Sequence, residues 1–460
     1  MEQKIFKRWN RIVGWVVFAI AALTYLLTIE PSSSLWDCGE FIATSYKLEV
    51  GHPPGAPLFM LLARIATMFA PSPHYVPHMV NGMNALASAF CILFLFWTIT
   101  HLARRITTRE QRELSLERIA IILGAGAVGA LAYAYTDTFW FSAVEGEVYA
   151  LSSMFTALVV WLMLKWEENA DRTTSMRWIV FIAYLMGLSI GVHILNLLTI
   201  PALVMIWFFR QYEFKTAKDY FLKIVIALVV SMLILGAING VIIPYTVALG
   251  AAVDTFTVNS LGMPVNVGMM LYLVAVFALL GWLIVYTHNH SKRIANAVVL
   301  CLTVILIGFS SYAMVIVRAN ANPPMNSNNP WNPHTLLSML NRDQYGQRPL
   351  LRGPYYSAQP LSPVEINPDI ESEDTYLPGE YDSAMMTWYN PDTKQYEERE
   401  IFEGYKYPSE AMHLFPRMWD YNKKERDYKP WAAYRTKVEV LRDEKGEVMR
   451  DESGRPVRGQ

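Results

Sequence analysis

The sequence predicts an all-α polytopic membrane protein that carries a small C-terminal domain outside the membrane. The first two observations concern composition: 53% of the 460 residues are hydrophobic and only 17% are charged, which is too apolar for one ordinary soluble domain. The third is that the apolar residues collect in long segments separated by short polar ones. The 39 basic and 40 acidic residues nearly cancel, so nothing in the charge balance indicates a nucleic-acid partner.

About nine of the apolar segments are predicted to cross the bilayer as helices. They lie near residues 12–29, 80–102, 119–135, 148–164, 178–192, 194–209, 224–247, 267–286 and 294–317. The run from Leu58 to Phe69 is interrupted by Arg64 and is too short to cross, since a spanning helix needs about 20 residues. It is predicted to be an interfacial helix in the first external loop, residues 31–77.

Clusters of basic residues set the predicted orientation. Four precede the first segment (Lys4, Lys7, Arg8 and Arg11), and five arginines follow the second (Arg104, Arg105, Arg109, Arg112 and Arg118). Because loops rich in Lys and Arg stay in the cytoplasm, the N-terminus is predicted to be cytoplasmic and the loop around Asp37 external. The basic clusters that follow the later segments fall on the same side, and the same alternation predicts an external loop that holds Asp254 and Asn259.

The composition changes beyond Arg318, which gives the predicted domain boundaries. Residues 1–318 form the transmembrane domain, 319–339 a Pro/Asn-rich linker, and 340–460 an external C-terminal region. Two hairpin-like turns are predicted in that region, at residues 443–446 and 451–454. The three cysteines, Cys38, Cys91 and Cys301, form no CxxC pair, which excludes a zinc ribbon or a disulfide framework.

The first external loop carries the main candidate site. Asp37 and Glu40 follow directly after the first span, and a spacing of three places both carboxylates on one face if the segment is helical. His52 follows, with a rigid turn made by Pro53, Pro54 and Gly55. These acids could simply cap a helix or lie solvated in a loop, but acids near lipid are costly and favour a functional role.

Other polar residues at the predicted external ends of the spans are further candidates, each with a structural alternative. Glu145, Glu147 and Tyr149 alternate along one short segment, and His193 and Asn196 lie between two apolar spans, where a histidine can also be a core residue. Arg64 and Arg318 could pair with phosphate oxygens.

Such residues fit transfer of a group from a lipid-anchored donor at the external membrane face. An acid there could act as general base toward a hydroxyl, or it could bind a divalent metal ion that neutralises a leaving phosphate. The residues alone do not choose between a metal ion and an arginine for that task.

Five motifs carry a resemblance to a known family. They are Trp36-Asp-Cys-Gly-Glu40, Gly51-His-Pro-Pro-Gly-Ala-Pro-Leu58, Glu145-Gly-Glu-Val-Tyr149, Gly191-Val-His-Ile-Leu-Asn196 and the segment Leu340 to Gly353. Together they resemble a large family of membrane proteins of unknown function from Bacteroidetes-type bacteria. That family is in turn similar to the eukaryotic transmembrane protein O-mannosyltransferases of the GT-C glycosyltransferase superfamily.

The resemblance implies a GT-C-like fold in the inner membrane of a bacterium, with the C-terminus in the periplasm. It implies a polyprenyl-phosphate-linked sugar as donor, with mannose as a candidate sugar, and a protein or glycan hydroxyl as acceptor, with membrane lipids as further partners. Asp37 would be the general base, Glu40 its partner or a metal ligand, and the other candidates would bind substrate. GT-C enzymes often show Asp-x-Asp or Asp-Glu, whereas this chain has Asp-x-x-Glu, so metal dependence is left open. From the resemblance we also expect that this chain is either a short member of the family or part of a longer protein.

Two other classes compete with a glycosyltransferase. A lipid or solute transporter would place polar residues in the middle of its spans and show paired repeats, whereas here the acids gather at one face and no repeat is visible. A structural subunit of an envelope machine would use the C-terminal region as its docking surface and would not need Asp37.

Overall fold

The computed structural model describes residues 2–108, 114–213, 215–346, 349, 351–355, 358, 381–415, 439–440 and 458–459. Arg109 and Arg112 of the basic cluster and both predicted hairpin-like turns near the C-terminus lie outside these residues.

Helices make up most of the described chain, as predicted. They are α1 Glu2–Leu27, α2 Cys38–Lys47, α3 Pro57–Thr67, α4 Val76–Thr108, α5 Leu116–Ala134, α6 Asp137–Ala143, α7 Val148–Glu168, α8 Met176–Ile190, α9 Ile200–Gln211, α10 Ala217–Ala237, α11 Ile243–Leu261, α12 Val267–Asn289, α13 Arg293–Phe309, α14 Ala313–Asn320 and α15 Pro333–Asn341. Strands β1 Arg352–Pro354, β2 Tyr381–Asn390, β3 Gln395–Tyr405, β4 Met412–Leu414, β5 Glu439–Val440 and β6 Arg458–Gly459 follow.

Among the described residues, eight helical segments are long and apolar enough to cross a membrane. Helix α8, residues Met176–Ile190, corresponds to a ninth predicted span but is shorter, at 15 residues. The predicted interfacial helix is α3, whose 11 residues extend about 16 Å at 1.5 Å per residue and cannot cross a bilayer. The chain is therefore a multi-pass helical membrane protein.

Helix α4 lies at the centre of the helical part. On one side it packs with α1, α5 and α6 around buried residues such as Tyr25, Phe96 and Ile122. Through residues nearer its start it contributes to a second core, formed mainly by α2, α3, α7, α8 and α14. These side chains stabilise the fold mainly through van der Waals packing, because lipid tails are as apolar as the side chains themselves.

The prediction of a loop around Asp254 and Asn259 is wrong. The helix does not end near Val247 but continues to Leu261, where Gly262 terminates it in the left-handed conformation, with a φ of 65°. A π-helical turn at Ile238–Ile242 joins α10 to α11 just before Pro244. Proline has no backbone N–H to donate to the preceding turn, and a local change to π-helical hydrogen bonding accommodates this loss.

Asp254 is consequently a buried helical residue. Its carboxylate accepts backbone hydrogen bonds from Gly268 at 2.9 Å and Asn266 at 3.1 Å, which satisfy the first N–H groups of α12. The hydroxyl of Tyr396 donates a further bond of 2.8 Å. These partners explain why a carboxylate can be fully buried here.

The chain divides into two compact units. The first comprises residues 1–344 with 388–397, and the second comprises 345–387 with 398–460. Helix α15, which begins inside the predicted linker, belongs to the first unit and starts with a capping box between Asn332 and Thr335. In the second unit, β1 pairs antiparallel with β4 and β5 with β6. Strand β2 pairs with β3, and residues 388–397 at the turn of this pair belong to the first unit.

Candidate active site

Helix α2 positions the two acids of the first loop. Asp37 is its N-terminal capping residue and Glu40 lies in its first turn. The helix buries Cys38, Phe41 and Ile42, so its polar face presents both carboxylates. Negative charge in the first turn is also favoured by the helix dipole. Asp37 is the more exposed of the two, with 56% of its side chain accessible against 24% for Glu40.

His52 links these carboxylates. Its backbone N–H and its ring Nδ1 both donate to Glu40 Oε1, at 2.6 and 3.0 Å, and Nε2 lies 3.8 Å from Asp37 Oδ2. Because a carboxylate only accepts, Nδ1 carries a proton. The bond to Glu40 raises the pKa of His52, and the bond to His52 lowers the pKa of Glu40.

The chain around His52 is shaped for this contact. A Cβ on Gly51 would lie only 2.8 Å from Glu40 Oε1, so glycine allows the carboxylate its close approach. On the other side of His52, its carbonyl accepts from the N–H of Gly55 at 2.8 Å. The turn contains a cis bond between Pro53 and Pro54. Gly51, by its lack of a side chain, and Gly55, by its backbone hydrogen bond, thus position His52.

The second loop brings two more carboxylates to the same end of the helices. Glu145 and Glu147 are each only 6% exposed. The side-chain amide of Asn84 on α4 donates to both of their backbone carbonyls, at 2.7 and 2.6 Å. Ser34 of the first loop donates to the Glu145 carboxylate at 2.6 Å. The two loops are therefore joined by hydrogen bonds.

The acidity of Glu147 is strongly perturbed. Burial raises its pKa to about 7, and the nearby charges of Asp37 and Glu145 act in the same direction. Its carboxylate also accepts from the N–H of Val148 at 3.2 Å and so caps α7. A carboxyl group with a pKa near neutral can both release and accept a proton.

His193 and Tyr149 lie together beside Arg342. Their ring centroids are 5.4 Å apart, and His193 Nδ1 accepts from the N–H of Leu195 at 3.2 Å. Burial lowers the pKa of His193, and the positive charge of Arg342 lowers it further. Arg342 follows α15 in a left-handed conformation, with a φ of 61°. It adds a guanidinium to this end of the helices.

Three of the predicted substrate-binding residues are engaged elsewhere. Asn196 is fully buried and bonds Ser189 at 2.8 Å and Thr156 at 3.2 Å. Arg64 donates to the carbonyl of Tyr46. Arg318 donates to the carbonyl of Leu48 at 2.5 Å. Both arginines thus bind the last carbonyls of α2, about 15 Å along that helix from Asp37.

Sequence reasoning missed Ser34, Asn84 and Arg342. Asn84 had a visible signal, since it and Asn81 stand three residues apart in an otherwise apolar span. Arg342 lies in a motif that carried the resemblance, but only the fold brings it beside His193, which is 149 positions earlier.

Asp37, Glu40 and His52 could also hold a metal ion. One donor atom from each lies within 4.8 Å of the others. Two carboxylates and one imidazole suit several divalent ions, and the 3.8 Å between Asp37 Oδ2 and His52 Nε2 is close to the separation of two ligands on one ion. The donor set therefore fits a divalent cation.

An apolar cavity of about 580 Å³ reaches this end of the helices. Tyr149 and Leu195 line it together with Ser152, Thr156 and Val160 of α7 and α7's neighbours on α4. Its wall is mostly apolar, so it could take a hydrocarbon chain next to the polar cluster.

The comparisons with known proteins match the part of the chain that builds this cluster. Residues 37–216 match the family model described as "Protein O-mannosyl-transferase TMEM260 N-terminal domain". This range begins at Asp37 and includes His52, Glu147 and His193. Residues 346–452 match a model described as "Family of unknown function (DUF8416)".

Two curated relatives are similar to part of the chain. "Protein O-mannosyl-transferase TMEM260" of Mus musculus is 29% identical over 174 residues, which are 38% of this chain and 22% of the relative. "Protein O-mannosyl-transferase tmem260" of Dictyostelium discoideum is 26% identical over 212 residues, 44% of this chain and 23% of the relative. The alignments thus span less than a quarter of either relative. No solved structure matches the chain. Over the segment that forms the acidic cluster, this multi-pass membrane protein is similar to the TMEM260 protein O-mannosyl-transferases.

Proposed function

We propose that this chain is a membrane glycosyltransferase that transfers a sugar from a polyprenyl-phosphate donor to a hydroxyl of a protein or glycan. The observation that carries the proposal is the cluster of Asp37, Glu40 and His52 with the buried Glu147, placed where an apolar cavity reaches the ends of the helices. The relatives' names suggest mannose as the sugar. The GT-C type of fold is part of the same proposal.

Asp37 is the proposed general base. It is the exposed member of the cluster, so an acceptor hydroxyl can reach it, and its Oδ2 lies 3.8 Å from Nε2 of His52. In the transfer, the acceptor oxygen attacks the anomeric carbon of the sugar while the bond from that carbon to the phosphate oxygen breaks. The bonding electrons leave with the lipid phosphate, and the acceptor proton passes to Asp37.

Glu40 is the proposed positioning residue for His52. Its two hydrogen bonds fix both the backbone and the ring of His52, and preorganised charges of this kind need no rearrangement during the reaction. Glu147, whose pKa is near 7, can take up or return a proton as the cluster changes charge.

Arg342 is the proposed partner of the donor phosphate. Its positive charge acts with burial to lower the pKa of His193, whose ring lies 5.4 Å from that of Tyr149, and Tyr149 lines the apolar cavity that would hold the polyprenyl chain. A guanidinium binds phosphate oxygens in a bidentate manner. If a divalent ion is used, Asp37, Glu40 and His52 would hold it, and it would supply positive charge to the leaving phosphate.

The proposed location is the inner membrane of a bacterium, with the cluster on the periplasmic side and the N-terminus in the cytoplasm. The supporting observation is that basic side chains such as Arg104, Lys165 and Arg172 lie at the opposite ends of α4 and α7 from Asn84 and Glu147.

The test compares the wild type with Asp37→Asn in membranes supplied with radiolabelled polyprenyl-phosphate mannose and with envelope proteins from cells that lack this chain. We expect at least about a hundredfold lower transfer in the variant, in the range that loss of a general base causes. Asp137→Asn is the matched control, because Asp137 is an exposed acid in the first turn of α6 near the same ends of the helices. Equal transfer by Asp37→Asn and wild type would refute the assignment of the base, and no transfer by wild type with any labelled lipid-linked sugar would refute the enzyme.

A further inference from the structure

A second polar pocket lies at the opposite end of the helices from Asp37. It has a volume of about 820 Å³ and is formed by the start of α1 and the ends of α4 and α7. Asp37 follows the far end of α1, whose 26 residues extend about 39 Å. The pocket is therefore separate from the proposed active site, and the proposed function does not use it.

The pocket is strongly basic. Among the described residues that line it, the cationic ones are Lys7, Arg11, Arg104, Lys165 and Arg172, while Glu168 is the one acid. Arg104 and Lys165 both bind that acid, at 2.5 and 2.9 Å.

The other three cations carry unbalanced charge. Lys7, Arg11 and Arg172 show no ion pair or side-chain hydrogen bond within the part of the chain that the structure describes. Basic residues next to a membrane are often simply solvated. Here, however, they converge from α1 and from the end of α7 on one concave site, which an anion could occupy.

Two residues in the wall of the pocket contain a buried polar atom without a hydrogen bond, although both ring nitrogens of His101 face glutamates. Asn10 Oδ1 and His101 Nε2 have no hydrogen-bond partner in the described structure. His101 is only 7% exposed, and its Nε2 lies 3.8 Å from Glu167, beyond hydrogen-bond distance. Buried polar atoms are normally satisfied by the protein, by water or by a ligand.

The rest of the wall is aromatic. The rings of Trp97 and Trp161 stack with their centroids 5.1 Å apart, and Trp15 meets Trp97 edge-on at 6.3 Å. Trp97 can approach α1 because residue 14 is glycine, where a Cβ would lie 2.6 Å from the indole nitrogen. Trp15 is 46% exposed on the outer side of α1, so the pocket continues into an apolar surface.

The pocket combines cations with indole rings at the end of membrane helices. This combination suits a molecule with a phosphate at one end and hydrocarbon at the other. We propose that this pocket binds the phosphate headgroup of an anionic membrane lipid. Arg11, Lys7 and Arg172 neutralise the phosphate, and the indoles contact the glycerol and the first methylenes of the acyl chains.

The experiment measures lipid retention by native mass spectrometry of the purified full chain in detergent, with dioleoyl phosphatidylglycerol added. The test variant is Arg11→Gln with Arg172→Gln. The matched control is Arg177→Gln with Lys218→Gln, which removes two exposed basic residues that do not line the pocket. Because each basic residue near an anionic headgroup contributes on the order of a few-fold in affinity, we expect at least about a tenfold loss of retained phosphatidylglycerol in the test variant.

The outcomes separate the proposal from its alternatives. Wild type and control should retain phosphatidylglycerol in preference to phosphatidylcholine, whose headgroup has no net charge, and inorganic phosphate should not displace it. Equal retention by the test variant, or no preference between the two lipids, would overturn the proposal, and displacement by inorganic phosphate would show a site for free phosphate instead. Melting temperatures matched to the wild type verify that the variants are folded. The readout is binding, so it is independent of glycosyl transfer.

Discussion

Glu40 accepts two hydrogen bonds from His52, one from the backbone N–H at 2.6 Å and one from the ring Nδ1 at 3.0 Å. Both reach the same oxygen, Oε1, so one carboxylate atom determines where the backbone and the ring of His52 lie. The two partners are 12 positions apart in the sequence, and the segment between them completes α2 and returns the chain to the start of that helix. The sequence places the acid and the histidine near each other, but the shared oxygen depends on the fold.

Gly51→Ala tests this arrangement without replacing Glu40 or His52. The new Cβ would lie 2.8 Å from Glu40 Oε1, so the carboxylate must move and both bonds to His52 lengthen. We expect glycosyl transfer to fall about tenfold to a hundredfold, as expected for loss of about 1.5–3 kcal/mol from charged hydrogen bonds. The measurement is the transfer rate at saturating donor. Gly124→Ala on α5 is the control, because its Cβ would meet nothing within 4 Å, and an equal rate in Gly51→Ala would contradict the role of the pair.

The positions and order of eight of the nine predicted spans could be predicted because apolar length is a local property of the sequence. The cluster in the first loop could be predicted in part for a similar reason: Asp37, Glu40 and His52 are separated by short distances along the chain, and a helix at α2 brings the two acids together. The charge coupling of Asp37 to Glu147 needs the packing of α2 against α4 and α7, which no local pattern reveals.

The errors and omissions have the same physical origin. The alternation of spans predicts a loop around Asp254, yet the helix continues past it, and Gly268 and Tyr396 satisfy its carboxylate in the folded chain. Arg318 was considered a phosphate ligand, whereas the structure places it on a carbonyl of α2, 270 residues away along the chain. In each case a distant partner decides the role of the charged group.

The raised pKa of Glu147 predicts how stability varies with pH. Its carboxyl group has an ordinary pKa of 4.5 when unfolded and a pKa of about 7 when folded, so the folded protein binds the proton more tightly. That stabilisation is complete below about pH 4.5 and is lost as the pH rises through about 7. It amounts to about 3 kcal/mol at most, at 1.36 kcal/mol per pKa unit.

Glu147→Gln should remove this dependence. We expect the difference in melting temperature between the variant and the wild type to change in favour of the variant as the pH is raised from about 5 to about 8. Glu117→Gln, at an exposed acid in the first turn of α5, should show no such change. A constant difference between Glu147→Gln and the wild type across this range would show that the folded protein does not hold the proton on Glu147.

Arg342 is predicted to act on the donor and not on the acceptor. Arg342→Gln should raise the KM for the polyprenyl-phosphate sugar by about tenfold or more, since a charged hydrogen bond to phosphate contributes about 1.5–3 kcal/mol, while the KM for the acceptor stays within about twofold. Arg342→Lys should restore only part of the loss, because lysine cannot bind phosphate in a bidentate manner. Both KM values are determined from initial rates, with the concentration of each substrate varied in turn. A rise in the acceptor KM alone would place Arg342 on the other substrate.

Arg64 and Arg318 are predicted to stabilise α2 and not to bind phosphate. Both guanidiniums donate to carbonyls at the C-terminal end of that helix, where a cation also interacts favourably with the helix dipole. Arg318→Ala should therefore lower the free energy of unfolding by about 1–3 kcal/mol, and Arg64→Ala should do the same. Because Asp37 lies at the opposite end of α2, the donor KM of the folded fraction should remain that of the wild type. Melting temperatures in detergent and donor KM values, taken on the same preparations, separate stabilisation of α2 from donor binding. A raised KM with an unchanged melting temperature would show that these arginines bind the donor instead.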